Sequence, residues 1–178
     1  MNIARAREIA GWMIDSELEW LADQAGKHSR IVEVGCWVGR STRALADNTI
    51  GLVYAVDTFE GSEEHQEFLK DKPTGWILRR FLENMHGCSN VHPIINTSVG
   101  ATQNFLLYRQ QFDMIFLDAR HDYYSVKQDI IEWMPLLLPG GLLCGHDLGP
   151  NWPEVEVAVR ELIPDFEMGP NQIWHKTF

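Results

Sequence analysis

The run Arg30-Ile31-Val32-Glu33-Val34-Gly35-Cys36-Trp37-Val38-Gly39-Arg40-Ser41-Thr42 constrains this chain more than any other stretch. A short apolar segment bounded by turn residues is what a parallel strand covered on both faces looks like. Here it contains an acid near its end, Glu33, followed by glycines at 35 and 39 and by hydroxyl residues suited to starting a helix. In an open parallel sheet the ligand crevice lies at the carboxyl ends of the strands, and Glu33, Gly35 and Gly39 fall at that end. Glycine at both places lets the turn enter sterically restricted backbone states and lets a ligand lie close to the main chain. Ser41 and Thr42 can cap the helix and leave its first N–H groups free. The dinucleotide fingerprint needs a middle glycine so that pyrophosphate can touch backbone. Trp37 occupies that place, which argues against NAD.

Downstream, residues 52–56 read as a second strand ending at Asp57, which lies 22 positions after Gly35. That is close to the offset of about 20 residues at which an acid meets a ribose in nucleotide-binding βαβ units. Residues 60–75 are polar and contain Gly61, Pro73 and Gly75, so they form a long excursion, and long loops at such an edge are often functional. A helix over 76–85 has a buried face of Ile77, Leu78, Phe81, Leu82 and Met85. Val91-His92-Pro93-Ile94-Ile95 reads as a third strand at a sheet edge, because Pro93 cannot donate to a ladder. Asn96, Thr97 and Ser98 follow it where adenine-side contacts would be made, and a helix is expected over 101–108. A fourth strand ends in Asp118, followed by the polar aromatic loop Ala119-Arg120-His121-Asp122-Tyr123-Tyr124 and an amphipathic helix. Pro139-Gly140-Gly141 is the turn out of that helix. A fifth strand, 142–145, delivers His146-Asp147 to the rim that carries Asp118. Pro153 suits a first helical turn, and Asp165 to Met168 with Gln172 to Lys176 fit a closing hairpin.

The first segment, residues 11–25, contains a capping box, Ser16-x-x-Glu19, ahead of an apolar stripe of Leu18, Leu21, Ala22 and Ala25. Gly11-Trp12-Met13 just before it reads as an apolar anchor, with a substrate-facing lid as the alternative. The chain of 178 residues is the length of one ordinary domain. A net charge of −10 disfavours a nucleic-acid footprint or an anionic membrane surface as partner. Cys36, Cys88 and Cys144 are an odd number without metal-ligand spacing, and Cys36 and Cys144 lie in apolar strand-like runs. They read as reduced thiols of a cytoplasmic protein. Arg5, Arg7 and Glu8 stand where a signal peptide would turn apolar, and no apolar run reaches the roughly 20 residues of a membrane span.

With both rims in view, the chain from Glu33 onward resembles a class I S-adenosylmethionine-dependent methyltransferase, and more narrowly the macrocin-type sugar O-methyltransferases and their small relatives. The phrases that carry this are Val32 to Ser41, Val56-Asp57-Thr58-Phe59-Glu60-Gly61, Phe116-Leu117-Asp118-Ala119-Arg120-His121-Asp122-Tyr123 and Leu138 to Asp147. The resemblance implies an α/β, Rossmann-like, doubly wound and mostly parallel seven-stranded sheet of order 3-2-1-4-5-7-6, with helices on both faces. It implies that Glu33, Gly35, Gly39, Asp57 and Ser98 line the cofactor site, with Trp37, Ser41 and Thr58 beside them and Asp118 where cofactor meets substrate. It further implies a divalent cation at Asp118, His146 and Asp147; a hard Mg²⁺ site prefers oxygen, so His146 favours a metal that accepts imidazole.

Arg120 stands where the sugar enzymes carry a second acid as general base, and a guanidinium cannot take a proton. His121 or His146 would have to serve instead, while Arg120 could clamp an anionic acceptor. The expected function is methyl transfer to a hydroxyl of a small polar metabolite such as a sugar. The alternative is an inactive module that binds the cofactor as a sensor or assembly partner. The expected partner is a small-molecule acceptor, with a homodimer left open.

Overall fold

The computed structural model describes residues 1–178. β1 (Arg30–Val34), β2 (Leu52–Asp57), β3 (Val91–Ile95), β4 (Phe112–Leu117) and β5 (Leu137–Gly145) run parallel. β6 (Glu167–Met168) and β7 (Trp174–Thr177) complete the sheet as an antiparallel pair, with β7 also antiparallel to β5. Across the sheet the order is 3-2-1-4-5-7-6, as the resemblance implies. Strand order therefore reverses between β1 and β4, and that switch point opens the crevice at the strands' carboxyl ends. β3 is an edge strand, consistent with its Pro93.

Alternation along the strands sorts the helices into two layers. Val32, Val34, Ile115, Leu117 and Leu143 face α6 (Ser98–Leu107), α7 (Tyr123–Trp133) and α8 (Pro153–Leu162), where Phe105, Trp133 and Val159 are buried. Ile31, Val53, Met114, Phe116 and Cys144 face α1 (Ala4–Glu8), α2 (Asp15–Ala25) and α3 (Arg40–Ala46). α5 (Trp76–Asn84) extends this second layer through Ile77 and Phe81 onto Ala55. Residues 60–75 are more regular than their polarity suggests, with a 3₁₀ turn at Glu63–His65 and the short helix α4 (Gln66–Leu69).

Several boundaries differ from the expected ones, each for a local reason. α2 begins at Asp15 rather than after Ser16, and its third residue, Glu17, accepts the Ile14 N–H at 2.8 Å. Glu17, not Glu19, therefore closes the helix start. α6 begins at Ser98, three residues earlier than expected, because Thr97 is its N-cap and accepts from the Gly100 N–H at 3.1 Å. Pro139-Gly140-Gly141 is not a turn before β5 but an irregularity inside it, where the β4 register jumps between Phe112 and Met114. Cys36 lies in the turn after β1 rather than in a strand, although it is buried.

The glycine turn owes its residues to protein neighbours. Gly35 has φ +88°, and a Cβ there would stand 2.0 Å from the Asp118 carbonyl oxygen, so β1 and β4 approach too closely for any side chain. Gly39, the N-cap of α3, has φ +94°, and its Cβ would meet the Met85 methyl at 2.6 Å. Ser41 and Thr42 do not cap α3; their hydroxyls donate to the two oxygens of Glu33, which is fully buried. Burial pushes the Glu33 carboxyl up to about 8, against the pull of those two hydroxyls. Folded Glu33 thus holds a proton at neutral pH that the unfolded chain releases near 4.5.

A raised acid stabilises the fold fully below its unfolded value, and that contribution is lost as pH climbs through the folded value. Glu33→Gln is expected to flatten the decline of stability between about pH 5 and pH 8, a decline of at most about 1.4 kcal/mol per pH unit for one group. Urea unfolding of both proteins across that range checks it, and an unchanged slope would mean that Glu33 is ionised in the fold.

Candidate functional site

A cavity of about 990 Å³ opens over the carboxyl ends of β1 to β5. Asp57, at the end of β2, organises its floor. Asp57 Oδ2 accepts the N–H groups of Cys36 at 2.8 Å and Trp37 at 2.9 Å, and Oδ1 accepts that of Phe59 at 2.7 Å. Trp37 has φ +49°, a conformation that costs a bulky residue about 1–2 kcal/mol. The Asp57 bond offsets that strain, which is how a tryptophan holds a place that elsewhere calls for glycine.

Gly35, Trp37, Ser41, Thr58, Ser98 and Asp118 all border the cavity, as does Asp57. Glu33 and Gly39 do not border it. Glu33 lies beneath the turn and acts through Ser41 and Thr42, while Gly39 is packed on Phe81 and Met85.

Trp37 forms one wall with His65 and Trp12, their ring centroids 4.2 and 5.6 Å from that of Trp37. Trp12 is exposed, whereas its neighbour Met13 is buried, so the N-terminal segment is both anchored to the core and presented to the cavity. Arg40 fixes this segment, its guanidinium donating to the carbonyls of Met13 at 2.9 Å and Ile9 at 2.7 Å. Nothing in the sequence pattern marks Arg40 for this task, because its acceptors are backbone groups roughly 30 residues away.

The opposite rim gathers Asp118, His121, His146 and Asp147. His146 is buried between carboxylates: Nε2 lies 2.9 Å from Glu17 Oε1, and Nδ1 lies 3.2 Å from Asp147 Oδ1 and 3.7 Å from Asp118 Oδ1. Burial works against charge on His146, but Asp118, Asp147 and Glu17 outweigh it and raise the ring to about 11. His146 is thus an imidazolium with both N–H groups engaged. Both ring nitrogens thus face carboxylates of the protein, and the ligand atoms that converge on this rim come from Asp118, His121 and Asp147 instead.

Burial lifts the Asp118 carboxyl to about 7, helped by Asp147 and opposed by His146. Asp147 is held well below the usual carboxylate range, despite burial, by His121 and His146. His121 places Nε2 2.9 Å from Asp147 Oδ2 and stacks on Trp152 with centroids 4.2 Å apart. Its Nδ1 is buried without a hydrogen-bond partner, Glu64 Oε1 lying 3.3 Å away. Burial lowers the His121 pKa, and Asp147, Asp118 and Glu64 more than reverse this. One ligand atom each from Asp118, His121 and Asp147 fall within 4.8 Å of one another. Arg120 is exposed at the mouth, 3.6 Å from Glu63 and 3.9 Å from Asp122.

Glu17 escaped the sequence reading although it is the hub of this rim. It also accepts from Asn171 Nδ2 at 2.9 Å and the Gln172 N–H at 3.2 Å, tying α2 to the segment before β7. The signal was present: an acid one turn before Leu21, inside the apolar stripe of α2, is either misplaced or paired. Removing one partner of a buried ion pair costs about 3–5 kcal/mol. Glu17→Ala is therefore expected to lose about 3 kcal/mol or more in chemical unfolding, and Glu17→Gln less than half as much. Equal stability of Glu17→Ala and the parent would contradict the hub.

No helix is long and apolar enough to cross a membrane. Residues 32–148, well over half of the chain, match the family described as a methyltransferase domain. An uncharacterised protein from Sinorhizobium fredii is 26% identical over 133 residues, which are 72% of this chain and 14% of that protein. The chain thus spans about one-seventh of the length of that relative. Among solved structures, a calicheamicin methyltransferase has a TM-score of 0.69 at 16% identity, covering 91% of this chain and 77% of that one. An O-methyltransferase from Bacillus cereus, solved with S-adenosylhomocysteine (SAH), has a TM-score of 0.68 at 20% identity, covering 99% and 87%. By its matched domain, its strand order and the glycine turn under its cavity, this chain belongs to the class I S-adenosylmethionine-dependent methyltransferases.

Proposed function

We propose that this protein transfers the methyl group of S-adenosylmethionine to a hydroxyl of a small polar acceptor, a sugar being the leading candidate, with His121 as proton acceptor. The observation that carries the reading is the His121–Asp147 pair, which faces the cavity that lies over the Gly35–Trp37 turn.

The cavity suits a sulfonium with an ammonium tail. Glu17, Asp57, Glu63, Glu64, Asp118, Asp129 and Asp147 border it against the cations Arg40, Arg120 and His146. That excess of carboxylates opposes a diphosphate ligand and agrees with the absence of a middle glycine. Asp57 keeps lone-pair capacity beyond its three backbone bonds for a ribose hydroxyl, and Thr58 and Ser98 border the nucleoside side. The acceptor reading draws support from the calicheamicin neighbour, described as a TDP-rhamnose 3′-O-methyltransferase.

Transfer is a direct displacement: the methyl carbon leaves sulfur as the acceptor oxygen bonds to it, and the hydroxyl proton departs. The chain contributes alignment and exclusion of water, for which Trp12, Trp37 and His65 form the wall. Asp147 accepts from His121 Nε2 and fixes the ring, leaving Nδ1 as the proton acceptor once Glu64 moves aside. His146 supplies fixed positive charge beside Asp118 and Asp147.

The expected cation set of Asp118, His146 and Asp147 fits poorly, since Glu17 holds His146 Nε2 and its Nδ1 lies between the two acids. With His121 in its place, three donors do converge. A cation there would act as a Lewis acid on the acceptor hydroxyl, and His121 would then be a ligand instead of a base.

Calorimetry with SAH is expected to show one site per chain, and a methyl-release assay over sugars is expected to show turnover that survives chelation. His121→Gln is expected to lower kcat by about 100-fold or more while leaving the Kd of SAH within about threefold. Turnover abolished by chelation and restored by metal would favour His121 as ligand. Binding without turnover under any metal would favour a binding module, the reading that Arg120 supports.

A further inference from the structure

Of the seven tryptophans, Trp12 alone is exposed, at 66%, and it borders the cavity. An indole left in water forgoes a large gain from burial, yet the segment that carries it is tightly held. Ile9 and Met13, on either side, are buried. Arg40 donates to the carbonyls of Arg7 at 3.1 Å, Ile9 at 2.7 Å and Met13 at 2.9 Å. Gly11 lies so close to Arg40 that a Cβ would stand 2.8 Å from its Cδ, so a side chain there would push on a pinned stem. His65 and Trp37 back the Trp12 ring at 5.2 and 5.6 Å between centroids, and Phe68 and Trp76 back Trp37 in turn. Trp12 is therefore a fixed aromatic surface, most of it open.

The wall that holds Trp12 leads to the group proposed to take the proton. His65 follows Glu64, whose Oε1 lies 3.3 Å from His121 Nδ1. The Trp12 segment also runs into α2, whose Glu17 holds His146 beside Asp147. Trp12 and His121 thus frame one opening, joined through His65 and Glu64 along one path and through Glu17, His146 and Asp147 along the other. Every cation bordering this cavity already faces a carboxylate or a carbonyl: Arg40 the backbone, Arg120 Glu63 and Asp122, His121 Asp147, and His146 Glu17 and Asp147. Resting on the methyl-transfer reading above, we infer that Trp12 is the stacking platform for the acceptor, and that the acceptor is a phosphate-free sugar ring rather than a nucleotide-linked sugar. A pyranose has an apolar face of C–H bonds that lies flat on an indole, while its hydroxyls leave sideways from the ring edge. Asn151 and Gln172 border the cavity and supply amide groups for those hydroxyls. A diphosphate would instead meet Glu63 and Glu64 with no unpaired cation beside them, and like charges set together weaken binding.

The test is a methyl-release assay on the full chain with S-adenosylmethionine and paired acceptors, each sugar offered as its methyl glycoside and as its nucleoside diphosphate. The parent is expected to use the methyl glycosides with a kcat/KM at least about tenfold above that of their nucleotide-linked partners. Trp12→Ala is expected to raise the KM of the preferred glycoside by about tenfold or more. Its kcat and its Kd for SAH are expected to stay within about threefold, the pattern of binding lost equally from ground and transition states. Trp12→Phe, which keeps a ring, is expected to recover at least half of that loss on a logarithmic scale. A Trp12 that only braces the wall would instead shift the Kd of SAH or the urea midpoint along with KM. An unchanged KM in Trp12→Ala, or a preference for the nucleotide-linked sugars, would overturn the inference while leaving methyl transfer intact. If the parent binds SAH yet methylates no sugar of either kind, the sugar reading fails and takes this inference with it.

Discussion

The approach of β1 to β4 at Gly35 is the constraint on which the remaining geometry rests. With no side chain at 35, the main chain of Asp118 comes within a distance that a Cβ would occupy at 2.0 Å, and Asp118 N–H bonds Val34 O at 2.8 Å. This closeness puts the first glycine turn and the acid after β4 on one rim. Asp57 then clamps the turn from the β2 side through three backbone N–H groups, and Glu33 supports it from below through Ser41 and Thr42. The floor is therefore held by two acids, Glu33 wholly beneath the turn and Asp57 bound to its backbone while still bordering the cavity.

The rim differs in kind from the floor. There the acids come in a cluster, and a buried imidazolium rather than a surface counter-ion balances them. His146 links Glu17 on α2, Asp118 after β4 and Asp147 after β5, and Glu17 links onward to Asn171 and Gln172. Charge on His146 lets Asp147 remain ionised to orient His121, while Asp118, facing the same positive ring at a longer distance, is lifted toward neutrality by burial. His146 and Glu17 thereby couple α2, the β5 end and the segment before β7 to the atoms proposed to handle the proton.

Much of this was legible because it rests on local rules. Alternating or continuous apolar runs marked the parallel strands, Pro93 marked the edge, and the spacing of Gly35 to Asp57 marked a nucleotide-binding unit whose strands proved adjacent. What stayed hidden depends on long-range partners or on one residue serving two purposes. Thr97 and Ser98 looked like loop because polar residues also make helix starts. Pro139-Gly140-Gly141 looked like a turn because a strand irregularity uses the same residues. Ser41 and Thr42 looked like caps, and only the fold shows Glu33 within reach of their hydroxyls. Glu17 is marked by its place in an apolar stripe but its partner His146 is not, lying 129 residues away, and Arg40 carries no mark because its acceptors are backbone groups roughly 30 residues away.

The central claim is spatial: the turn after β1 and the acid at the end of β2 together form the floor on which a sulfonium nucleoside lies. A crystal structure of the protein with SAH tests it most directly. The account predicts the ribose against Asp57, the adenine toward Ser98, and the sulfur on the side of Asp118. Ligand density outside this cavity, or a cavity still filled only by solvent at saturating ligand, would contradict it.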